Sequence, residues 1–149
     1  GSHPYEEIAY DLIVLENEWQ QVGSGMMGEL EKPVSAGEFL LHLKTVMQAK
    51  VVRHTGLSDK MVKKVAVCGG SGSFLLGHAM ASGADVFVSA DFKYHQFFDA
   101  DGKIVIADIG HFETEQFTID LLFDNLKQKF PTFAVLKSGV NTNPITYLT

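Results

Sequence analysis

The chain has 149 residues, 46% of them hydrophobic and 20% charged, which suits one soluble domain with a sizeable core. A formal net charge of −6 with no offsetting basic stripe argues against a nucleic-acid or anionic-membrane partner. A single cysteine, Cys68, excludes an intrachain disulfide, and no run of about 18 apolar residues offers a transmembrane helix.

The amino terminus lacks a basic region followed by an apolar one, so no secretory signal is expected and a cytoplasmic location is. Gly1-Ser2-His3 reads as a tag scar, with His3 either native or part of it. Residues 4–15 alternate like a strand. Ile8, Tyr10, Leu12 and Val14 face one side and Ala9, Asp11, Ile13 and Leu15 the other; both faces are largely apolar, so this strand calls for cover on both. Residues 16–34 read as connecting chain, with glycines at 23, 25 and 28 making turns and Pro33 blocking a regular element.

A helix is expected from Ser35. Ser35 and Glu38 have the spacing of a capping box, Val34 and Phe39 that of a hydrophobic staple. Phe39, Leu40, Leu43, Val46 and Met47 then keep the helical period, with His42 off the stripe. A short strand over 50–54, ending at His54, is followed by a turn near Gly56. Three strand-then-helix units come next: strand 64–68 into a helix near 72–82, strand 85–89 into a short helical segment, and strand 103–107 into a helix over 111–129. A last strand near 132–137 precedes the tail.

Strands alternating with helices predict an α/β fold, a mainly parallel or mixed sheet flanked by helices. Ligands in such folds bind beyond the carboxyl ends of the strands. Three polar segments leave such ends and are expected on one rim.

The first is Gly69-Gly70-Ser71-Gly72-Ser73, a strand–glycine–helix junction of the kind whose backbone N–H groups cradle an anion. It is not a Walker motif, since no G-K-[ST] closes it, and as a dinucleotide fingerprint it lacks the third glycine. A tight turn needing glycine geometry is the plain alternative. The second, Asp91 to His95, offers His95 as a general acid or base with Asp91 or Asp108 orienting it. Asp91 also stands where a ribose-binding acid would sit, or it simply caps the following turn. The third is His111 with Glu115, four apart on a helix and heading a stripe continued by Ile119, Leu122, Leu126 and Phe130. A carboxylate on a buried face needs a partner. A metal shared with His111 is one answer; an ion pair, or an acid meeting the helix dipole, is another. Cys68 reads as a packed side chain, and His78 as a packed or surface one.

Together Val65–Ser73 (VAVCGGSGS), Gly83–His95 (GADVFVSADFKYH), Gly110–Glu115 (GHFETE) and Asn141–Pro144 (NTNP) closely resemble one family. It is the NGG-interacting-factor-three-like family, also described as dinuclear metal centre proteins or GTP cyclohydrolase 1 type 2 homologues. The resemblance implies that residues 1–17 hold the scar and the last strand of an inserted small domain, and that 18–149 form the carboxy-terminal half of a two-lobed fold. It implies two divalent metal ions (zinc, manganese, iron or magnesium) in the full-length protein, ligated from this half by His111 and Glu115. His95 matches the family's K-Y-H histidine, which lines the same cleft, and Asp91 the aspartate of its G-D-x-K-Y-H motif. The implied activity is metal-assisted hydrolysis of a small molecule, a nucleotide among the candidates, by a homo-oligomer; the fragment alone is expected to be inactive and metal-free or weakly loaded. Two departures stand out: Ser89-Ala90 replaces Thr-Gly before Asp91, and Met26 stands where many relatives carry Arg. The competing readings are a nucleotide-binding α/β module and an oligomeric regulatory protein with a vestigial metal site.

Overall fold

The computed structural model describes residues 23–57, 59 and 61–148. The strand expected within 4–15, and the boundary expected at residue 17, lie outside the described residues. Five strands form one mixed sheet: β1 (Met26–Ser35), β2 (Arg53–His54), β3 (Met61–Ser71), β4 (Val86–Ala90) and β5 (Val105–Asp108), in the order β1-β3-β4-β5-β2. The inner pairs β3–β4 and β4–β5 are parallel; β1 and β2 close the two edges antiparallel. The expected α/β architecture is therefore the observed one.

The centre of the sheet follows from a run of residues apolar on both sides. β4 reads Val-Phe-Val-Ser-Ala and every residue of it is buried, as a strand covered on both faces must be. Alternation divides its side chains between two cores. Val86 and Val88 join Val62, Val105 and Ala107 beneath helix α1 (Ala36–Val46), which contributes Ala36, Phe39, Leu40 and Leu43. Phe87 points the other way, into a cluster with Ala66, Cys68, Phe92 and Ile106, closed by Leu76 and Ala79 of the short helix α2 (Leu76–Ala81).

α1 starts where the sequence places it. Ser35 is the N-cap: the Glu38 N–H donates to Ser35 Oγ at 3.2 Å, and Ser35 N–H and Oγ–H donate to Glu38 Oε2 at 3.0 and 2.7 Å.

Four expectations are corrected. Residues 26–35 form a strand rather than connecting chain, and Pro33 is tolerated because β1 is an edge strand whose register breaks between Glu29 and Val34. Gly69, Gly70 and Ser71 belong to β3, so the glycine run is mostly strand end, not loop. The helix expected over 111–129 is two helices, α3 (His111–Glu115) and α4 (Thr118–Lys129), interrupted at Gln116–Phe117. No strand forms at 132–137: the segment after Pro131 pairs with neither edge of the sheet, and Leu136 is 90% exposed.

Among the described residues, no helix is long and apolar enough to cross a membrane.

Candidate metal centre

Three positive-φ positions at or just past the carboxyl ends of β3, β4 and β5 bring the functional candidates together. At the first, Gly70 takes φ +61°, a left-handed conformation natural to glycine. A Cβ there would stand 2.7 Å from Glu115 Oε1 and 3.2 Å from His111 Nε2. The absent side chain is thus what lets the end of β3 approach α3. At the second, Asp91 takes φ +60°, a strained choice for a residue with a side chain. At the third, Gly110 takes φ +101° and launches α3 with His111 as its first residue.

Those positions converge on His111. Its Nδ1 lies 2.5 Å from Asp91 Oδ2, and its Nε2 lies 3.4 Å from Glu115 Oε2 one helical turn on. A carboxylate therefore faces each ring nitrogen. Thr114 secures the approach of the strand: its Oγ1 accepts the Gly70 N–H at 2.8 Å and donates to the His111 carbonyl at 2.7 Å. On the far side the buried Ser89 hydroxyl donates to the Gly70 carbonyl at 3.1 Å. Ser89, one of the departures from the family pattern, thus sits under the cradle.

An imidazole nitrogen and a carboxylate converging on a pocket that one methyl group would fill suit a hard or borderline divalent cation. His111 and Glu115 fit that role. Among the described residues no group of three or more His, Cys, Asp or Glu side chains is arranged to hold an ion, so this pair needs donors from elsewhere to complete a shell of four.

The other candidates fall differently. Asp91 engages His111 instead of orienting His95 or waiting for a ribose. Asp108 does not orient His95 either; it is buried, and it binds Arg53 and the backbone. His95 is exposed on the 3-10 helix Tyr94–Ala100 that follows the Asp91 turn. Both polar backbone groups of Gly70 are engaged within the protein, Ser71 pairs with Ala90, and the space beside Gly72 is filled by Ser89 Oγ and Cys68. Within the Gly69–Ser73 run, the Gly70 N–H and the Ser73 hydroxyl, which accepts from Gln96, are thus already engaged inside the protein.

One premise of the sequence reading is overturned. Glu115 is not on a buried face: its side chain is 52% exposed, and Ile119, Leu122, Leu126 and Phe130 are exposed as well. The break after α3 ends the common stripe. The buried carboxylate of α3 is Glu113, at 5%, set against the backbone of Gly110. Neither Glu113 nor Arg53 stands out in the sequence. Arg53 begins a strand of two residues, and Glu113 is the first of four polar residues in a row.

A family profile described as Duf34/NIF3 (NGG1p interacting factor 3) matches residues 3–144. A GTP cyclohydrolase 1 type 2 homolog of Halalkalibacterium halodurans is 38% identical over 99% of this chain and 41% of its own length. The chain thus spans about two fifths of that relative. Among solved structures, a Bacillus cereus protein related to NIF3 superposes with a TM-score of 0.71 at 32% identity, over 85% of this chain and 36% of that one. The Staphylococcus aureus protein SA1388 gives 0.72 at 30% identity, over 83% and 42%. With a profile match over residues 3–144 and, along nearly its whole length, 38% identity to that relative, the chain belongs to the Duf34/NIF3 family.

Proposed function

We propose that this chain supplies half of a two-metal hydrolytic centre, with His111 and Glu115 as its ligands, in a protein of the GTP cyclohydrolase 1 type 2 homologue kind. The observation that carries the reading is the convergence of His111 Nε2 and Glu115 on the cradle above Gly70. The remaining donors come from the portion of the longer protein that lies outside this chain. The ions, when bound, would make a hydroxide available at neutral pH and polarise the substrate's reacting group.

The chain's own residues prepare the site. Asp91 accepts the Nδ1–H of His111, which fixes the tautomer with its lone pair on Nε2 and raises that nitrogen's basicity. Gly70 keeps the approach open and Thr114 locks strand to helix. His95, exposed on the helical turn after Asp91, is the group proposed to pass protons to and from the substrate. A small molecule, with a nucleotide such as GTP the candidate drawn from the relatives' name, is the proposed substrate, and imidazole with carboxylate suits zinc, manganese or iron.

The test is metal-dependent ring opening of GTP by a full-length relative, alongside a variant with alanine at the histidine aligned with His111. Turnover that requires metal and falls roughly 100-fold or more in the variant is expected. Undiminished turnover in the variant contradicts the assignment.

A further inference from the structure

The Asp91–His111 pair is made by two positive-φ turns that follow different strands, and one buried carboxylate holds both. Asp108, the last residue of β5, is 4% exposed. Its Oδ2 accepts the Phe92 N–H at 3.0 Å, next to Asp91, and its Oδ1 accepts the Gly110 N–H at 3.2 Å, next to His111. Arg53, from the edge strand β2, completes the arrangement. Its guanidinium forms a short ion pair with Asp108 Oδ2 and donates to the Phe92 carbonyl at 2.9 Å, with its Cζ 5.5 Å from the centre of the Phe97 ring. Both backbone polar groups of Phe92 are therefore held, one by each member of the ion pair.

We infer that Arg53 and Asp108 are positioning residues for His111, fixing the separation of the Asp91 and Gly110 turns and thereby the ring's orientation and tautomer. The inference deepens the reading of His111 as a metal ligand and rests on it for its functional meaning, though not for its geometry. Neither Arg53 nor Asp108 touches the cradle. They act through Phe92 and Gly110 on Asp91 and His111. An Asp at φ +60° holds a backbone conformation that few residues with side chains adopt, and it persists where the surroundings over-determine it. A buried carboxylate bound to a guanidinium and two N–H donors ties the Asp91 and Gly110 turns together.

The test is nitrogen-15 NMR of the histidine rings in this chain, without added metal, at about pH 9, where a histidine is ordinarily neutral. In the parent chain His111 should show the Nδ1–H tautomer. In Asp108→Asn and in Arg53→Met it should move toward the tautomer mixture of free histidine. Val62→Ala, in the core beneath α1, serves as the control: it should lower the melting temperature and leave the His111 signals where they are. A folded Arg53→Met or Asp108→Asn chain whose His111 signals match the parent overturns the inference. So does a Val62→Ala chain that shifts them equally, since loss of stability alone would then explain the effect. Because no metal enters the measurement, a failure here is separable from a failure of the metal assignment.

Discussion

At Gly70 an absent side chain does more than a present one could. Alanine there would carry its Cβ to 2.7 Å from Glu115 Oε1, which a flexible carboxylate can evade, but it would also keep φ +61°, which it cannot. The left-handed backbone costs an alanine about 1–2 kcal/mol. Gly70→Ala should therefore lose about that much stability in urea denaturation and turn Glu115 away from His111 in a crystal structure. Asp91 presents the converse case. Asp91→Gly relieves a strained backbone and should match or exceed the parent in thermal stability, while His111 loses its Nδ1 partner. Cys68 is a third residue with a readable consequence. Burial pushes its thiol above the ordinary value of 9.0, the neighbouring Ser89 hydroxyl acting the other way. At pH 8 its alkylation by iodoacetamide should be slow in the folded chain and fast in denaturant.

Among the elements, α1 was legible because its signals are local, although Val46, expected on its apolar stripe, is exposed. The Ser35–Glu38 spacing gives the cap and the apolar period gives the buried face, and both are observed. Ser35→Ala should cost about 1 kcal/mol. Its pH dependence follows from Glu38, whose carboxyl is held below its ordinary 4.5 chiefly by the Ser35 hydroxyl and then by the Ser35 N–H. A depressed carboxyl stabilises the fold above that value and ceases to as pH falls through its folded value. Thermal melts of parent and Ser35→Ala chains should therefore converge as pH is lowered from 7 to below 4. The elements that sequence reading missed depend on distant partners. β1 is a strand only because β3 offers it an edge, and Pro33 survives there only because the register breaks. The apolar period from His111 to Phe130 is real, but period alone does not say what covers a face or where a helix breaks. α4 has no buried residue, so its amides should exchange with deuterium well before those of β4, which is buried throughout.

For the molecule as a whole, topology did most of the placing. Parallel β3, β4 and β5 put three carboxyl-terminal turns on one rim, as the alternation of strands and helices predicts. That much of the site was legible: His111, Glu115 and Asp91 do meet. Their grouping was foreseen for a wrong reason in part, since Glu115 is half-exposed and buried cover does not explain its partner. What could not be read was the support beneath them. Arg53 and Asp108 are 55 residues apart in sequence, and nothing in either's neighbourhood announces the other. The proposed metal reading meets the same limit at larger scale: among the described residues no group of three or more ligand-type side chains is arranged to hold an ion, and the chain spans 41% of a curated relative.

The most direct measurement is an isothermal titration of this chain with zinc, run in parallel on His111→Ala. Two ligands without the rest of a shell should give weak binding of about one ion, abolished in the variant. Binding of equal strength by His111→Ala would contradict the account.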